Sequence, residues 1–296
     1  LMLVIFLLAQ FIGIGILYKY IDSAKSAETG KTEFKDLPIG ERPPVDEKTS
    51  FLPIILAILV GTGVLLLLIR YNLMLVWKLW FLIAVVLALT VSWSIFIGKG
   101  IAFMIALAVG IWKIFRPNIW VHNLTELFIY GGLAAIFVPL FSLWSAIILL
   151  ILISGYDAYA VWKSKHMVTL AKSQTKAKVF AGLLIPYQLK KTMKASKSST
   201  VSKTSKKSAR TTPQKMEKVR TAVLGGGDIG FPLIFAGVLL KELGLWQSLV
   251  IPIGAAAGLA YLLWKGNEDK FYPAMPFISA GCFLALGVVL LLQILI

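Results

Sequence analysis

The chain has 296 residues, 58% of them hydrophobic, and a formal net charge of +16. Mean hydropathy is +0.83, and apolar runs of about 20 residues recur, which excludes a soluble globular protein and indicates an all-α polytopic membrane protein. A single cysteine, Cys282, and two histidines, His122 and His166, exclude a disulfide framework and leave little for a metal site, so neither metal nor cofactor is expected.

Nine transmembrane helices are predicted, over residues 1–18, 51–70, 73–95, 99–115, 119–140, 142–163, 220–241, 245–264 and 272–296. The first run lacks a basic leader and a small-residue cleavage site before Tyr18-Lys19, so we read it as a span rather than a signal peptide. Residues 19–50 form a polar loop holding seven of the fourteen acids. Spans three to six are joined by short turns such as Arg116-Pro117-Asn118, which makes them an antiparallel bundle. The long connection, 164–219, contains the apolar piece Val179–Tyr187, too short to cross as a helix and expected at the interface or lining a cavity. Its remainder, 188–218, is Lys/Ser/Thr-rich and expected to be mobile.

Three regions follow: 1–163 with the first six spans, a basic loop at 164–219, and 220–296 with the last three. From Lys163 to Arg220 there are sixteen Lys or Arg and one acid, Glu217. We read this cluster as a solvated cytoplasmic loop that fixes orientation, not as a nucleic-acid site. Counting Lys and Arg on the two sides puts 22 of the 30 with the basic loop, so the N-terminus is expected in the cytoplasm and the C-terminus outside a cell membrane.

Three acids lie in or against apolar spans: Asp157, Asp228 and Glu126, the last close to a span's end. A charge at the bilayer centre costs ~2.5–3.5 kcal/mol on the insertion scale, so such a residue marks function. Asp228 sits in Leu224-Gly225-Gly226-Gly227-Asp228-Ile229-Gly230-Phe231-Pro232. The glycines bare one side of the helix, and Pro232 has no N–H for the carbonyl of Asp228. Asp157 sits in Ser154-Gly155-Tyr156-Asp157. Taking both spans as helical to their basic ends places Asp157 ~9 Å and Asp228 ~12 Å from the same membrane edge. Two facing carboxylates would share one proton, the arrangement of an aspartic protease. The last span opens with Tyr272-Pro273-Ala274-Met275-Pro276, whose prolines keep backbone groups out of helix pairing, tolerated at membrane depth where they line a cavity.

Tyr156-Asp157, Gly225-Gly226-Gly227-Asp228 and Pro273-Ala274-Met275-Pro276 resemble the Y-D, G-x-G-D and P-A-L motifs of the presenilin and signal peptide peptidase family. The resemblance covers the whole chain and is greatest to prokaryotic, archaeal-type presenilin homologues. It departs at Met275, where the family has Leu, a nearly volume-neutral change. Gly226 stands at the variable position and adds flexibility. The resemblance implies a nine-helix intramembrane aspartyl protease that cleaves transmembrane helices of other proteins, with Asp157 and Asp228 as catalytic dyad. Gly225 and Gly227 would allow close approach beside the dyad. Tyr156, Gly226, Pro273, Ala274 and Met275 would shape the active site and substrate groove. Expected partners are transmembrane-helix substrates, the lipid bilayer and a second copy of the chain. Two other readings stand beside it: a prepilin- or preflagellin-type peptidase, which shares G-x-G-D, and a cation or proton transporter using both carboxylates as a relay.

Overall fold

The computed structural model describes residues 1–42, 44–71, 73–164, 180–187, 220–266 and 272–295. Most of the basic loop, including 188–218, lies outside the described residues.

In chain order the helices are α1 (Met2–Tyr20), α2 (Ser23–Thr29), α3 (Phe51–Arg70), α4 (Met74–Ile97), α5 (Lys99–Phe115), α6 (Ile119–Phe137), α7 (Leu143–Tyr159), α8 (Gly226–Glu242), α9 (Leu245–Lys265) and α10 (Met275–Leu295). All but α2 coincide with the expected spans to within a few residues, apart from the start of α8. Seven are long and apolar enough to cross a membrane. The other two, α5 and α8, have 17 residues each, at the short end of the range that spans. The seven-residue α2 lies in the polar loop. Asp22 caps its N-terminus by accepting from Ala24 and Lys25, and Gly30 ends it in the left-handed conformation.

The central helix is α8. Every residue from Pro232 to Leu240 is buried, the signature of a helix enclosed on all sides. Around it stand α1, α6, α7, α9 and α10. The outer helices α9 and α10 touch backbone to backbone, because a Cβ on Gly254 would lie 2.3 Å from the Gly281 carbonyl oxygen. Small residues permit this approach, which dispersion rewards in lipid. By contrast α3 packs on α4 and α7, and only 6% of its membrane-length window is buried.

The seventh expected span needs correction. Arg220–Gly225 is not helix but strand β2, paired antiparallel with β1 (Gly182–Tyr187) in a two-stranded sheet. The register runs from Gly182 opposite Gly225 to Tyr187 opposite Arg220. The Val179–Tyr187 piece is therefore mostly the partner strand of the segment leading into α8. The sequence hides this because the strands pair across a long connection, and Thr221–Leu224 continues the apolar run of α8. Asp228 is consequently the third residue of α8, and its depth cannot be counted along a helix from Arg220. At the other side, α7 ends at Tyr159 and passes into a π-turn, Ala160–Ser164.

Candidate active site

Asp157 lies two residues before the end of α7 and is buried. A carboxylate there opposes the helix dipole and needs a compensating partner. The partner is the start of α10. The Met275 backbone N–H donates to Asp157 Oδ2 at 3.1 Å, and the Ala274 N–H also faces this carboxylate. Met275 is the first residue of α10, so its N–H has no acceptor within the helix. Pro276 follows with no N–H at all. A carboxylate from another helix thus caps the N-terminus of α10, the geometry favoured for anions. One turn before Asp157, Ser154 Oγ donates to Ser279 Oγ at 2.8 Å and approaches the Met275 carbonyl at 3.4 Å. The two helices are thereby pinned at the carboxylate and one turn before it.

Asp228 enters from the sheet. Gly225 ends β2 and caps α8, and its backbone N–H faces the Asp228 carboxylate, as in half of a capping box. A Cβ on Gly225 would sit 3.1 Å from Asp228 Oδ2, so the carboxylate folds back over a residue without a side chain. Gly226 meets something different: its Cβ would lie 2.9 Å from the Tyr130 hydroxyl and 3.3 Å from the Ala181 carbonyl oxygen. Steric space, more than flexibility, therefore explains glycine at this position. Gly227 faces Phe231 of its own helix. Asp157 and Asp228 lie close enough for their charges to interact.

Among the expected site residues, Asp157, Ala274 and Met275 meet directly, and Asp228 with Gly225 joins them through the carboxylate pair. Pro273 is buried just before them. Tyr156 is half-buried beside Asp157 on the surface of α7. Gly226 is turned toward α6, and Gly227 toward Phe231.

Several residues around the site were not singled out by sequence reasoning. Gln10 of α1 is fully buried and donates through Nε2 to the Ile229 carbonyl at 2.8 Å, beside the backbone that Pro232 loosens. Lys113 of α5, one of the 22 basic residues counted on the side of the basic loop, lies inside a predicted span and faces its neighbour helix. It is buried and bonds Glu126 Oε1 of α6 at 2.5 Å and Thr125 Oγ1 at 2.9 Å. Glu126 also accepts from the Tyr130 hydroxyl. The signal for these was present: an amide in the first apolar span, and opposite charges in consecutive spans. What it lacked was a way to say which faces meet.

A family model described as signal-peptide peptidase, presenilin aspartyl protease matches residues 32–293. No curated protein matches the chain. Among solved structures, a presenilin family intramembrane aspartate protease in a P2 crystal form is similar at 20% identity, with a TM-score of 0.63, covering 98% of this chain and 96% of the other. A second structure so described, in a C222 form, is similar at 19% identity and a TM-score of 0.59, covering 97% and 94%. At these identities the structures show a shared fold. The family match spans most of the chain, and the chain therefore belongs to the signal-peptide peptidase and presenilin aspartyl protease family of multi-pass membrane hydrolases.

Proposed function

We propose that Asp157 and Asp228 are the catalytic dyad of an endopeptidase that cuts transmembrane helices of other proteins within the bilayer. The observation that carries this is the Asp157–Met275 hydrogen bond, together with the closeness of Asp157 to Asp228. Three segments far apart in sequence converge on two carboxylates, an arrangement that packing alone does not require. The pair would hold one proton between them. The carboxylate without it takes a proton from water as the water oxygen bonds to the scissile carbonyl carbon. The other carboxylate donates its proton to the carbonyl oxygen. Collapse of the tetrahedral intermediate breaks the C–N bond and returns a proton to the leaving amine.

A helical amide is shielded, so the substrate must be extended where it is cut. The sheet supports such a conformation. On β1, Gly182 and Leu184 direct backbone groups away from β2, so by strand alternation Val223 directs its own away from β1. Val223 is 42% exposed, and an extended segment pairing there would lie beside Gly225 and Asp228. In this reading Tyr156, Pro273, Ala274, Met275 and Gly225 line the groove, while Gly226 and Gly227 let the turn pack against Tyr130 and Phe231 behind it. The N-terminus and the 164–219 loop face the cytoplasm, with spans one to six before the loop and seven to nine after it. Even with Lys113 buried, the positive excess stays on that side.

The test is proteolysis by the purified full chain in liposomes with a labelled single-span substrate, beside Asp157→Ala and Asp228→Ala. Cleavage by wild type and by neither variant is expected. Cleavage by either variant would refute the dyad, and ion flux without cleavage would favour a transporter.

A further inference from the structure

The outer edge of β1 is not open. Asn123 of α6 meets the backbone of one residue on both sides, as a neighbouring strand would. Its Nδ2 donates to the Leu184 carbonyl at 2.8 Å, and its Oδ1 accepts from the Leu184 N–H at 3.0 Å. One residue earlier, His122 Nε2 bonds the Gly182 carbonyl at 2.7 Å. A carbonyl can only accept, so Nε2 carries the hydrogen. Gly182 and Leu184 are alternate residues, so both present their outward groups on the same edge. Two consecutive side chains near the start of α6 therefore satisfy three backbone groups of the strand.

Behind this contact lies the buried polar cluster. Glu126 Oε1 is 3.9 Å from His122 Nε2, and the same carboxylate holds Lys113 and Tyr130. Tyr130 abuts Gly226, whose N–H in turn donates to the Ala181 carbonyl at 3.0 Å. A connected path runs from the α5–α6 ion pair, through β1, to the turn that carries Asp228. Such a cluster is expensive to bury unless every member is satisfied. Packing two apolar helices together does not call for one.

We propose that Asn123, with His122 beside it, is a positioning clamp. It fixes β1, and through β1 the Gly225–Asp228 turn, so that Asp228 stands opposite Asp157. Neither residue touches the two carboxylates. The proposal rests on the proteolytic reading above for its catalytic consequence, and on the hydrogen bonds alone for its structural one.

The test separates these. Asn123→Leu keeps the volume and removes both bonds. Asn123→Asp keeps the acceptor for the Leu184 N–H and sets an oxygen against the Leu184 carbonyl. In the full chain in liposomes, hydrogen exchange at the Leu184 amide should be about tenfold or more faster in Asn123→Leu than in wild type, with α8 and α10 unchanged. Exchange within about twofold of wild type would overturn the clamp, whether or not any substrate is cut. On a cleaved substrate, kcat should fall about tenfold or more while KM stays within about threefold, because the reactive geometry is lost and the docking surface is not. Asn123→Asp should fall between wild type and Asn123→Leu in both readouts, and it decides the question should Asn123→Leu fail to fold. Faster exchange with kcat within about twofold of wild type would overturn the positioning role. A wild type that cuts nothing would instead count against the proteolytic reading, leaving the exchange result to judge the clamp.

Discussion

Replacing Met275 by proline tests the contact that carries the proposed site. The Met275 N–H donates to Asp157 at 3.1 Å, and proline removes that N–H and nothing else of the backbone. Position 275 is the first residue of α10, where proline is well tolerated. Proline also restricts the preceding residue to extended conformations, which suits Ala274 as the cap. The Met275 side chain is buried at 2% exposure, so its loss must be separated from loss of the N–H. Met275→Ala does this, since it truncates the side chain and keeps the donor. A hydrogen bond to a charged group contributes ~1.5–3 kcal/mol, and each ~1.4 kcal/mol is a factor of ten in rate. Met275→Pro should therefore lose about 10- to 150-fold in kcat/KM relative to Met275→Ala. Met275→Leu, nearly equal in volume, should stay within about threefold of wild type. The assay is initial-rate cleavage of a labelled single-span substrate in liposomes. Equal activity of the proline and alanine variants would refute the idea that the α10 backbone holds Asp157.

Four further outcomes follow from the same geometry. Asp157→Ala and Asp228→Ala should each abolish cleavage while circular dichroism stays that of wild type; substantial residual activity in either would exclude the dyad. If the two carboxylates work with one proton between them, activity should peak at an intermediate pH and fall on both sides, and a rate climbing steadily from about pH 5 to pH 9 would point to a single general base. Gly226→Ala drives a methyl to 2.9 Å from the Tyr130 hydroxyl and should cost ~1–3 kcal/mol by denaturant titration, a loss that adding Tyr130→Phe should relieve in part. Lys113→Met strands the buried Glu126 and should cost ~3–5 kcal/mol, whereas the Lys113→Met, Glu126→Gln pair should recover most of it; equal destabilisation of both would show that the ion pair is not what holds α5 to α6.

The helices were legible because lipid imposes a length, and runs of about 20 apolar residues give it away. The candidate site stood out in the sequence because carboxylates in such runs are costly and few. Depth, however, was reached by a wrong route. Asp228 was placed by counting turns from Arg220, but those residues form a strand whose partner lies some forty positions earlier. A strand that continues the apolar run of the following helix looks like helix, and nothing local contradicts it. The bond from Met275 to Asp157 was half legible: the prolines marked free backbone, but not which acid would take it. The polar residues of α6 were visible as residues and opaque as a cluster. Their meaning depends on which face of α6 meets α5 and which meets β1, and periodicity in an all-apolar helix does not say.

The dependence of Asp157 on the first turn of α10 has a consequence for the order in which the protein becomes active. Both carboxylates are synthesised before α10. Until that helix inserts and docks, Asp157 has no Met275 N–H to orient it. A nascent chain halted after α9 would carry both acids and no oriented pair. On the proposed reading the carboxylate pair is oriented only once α10 has docked, so catalytic competence arrives with that helix rather than ahead of it.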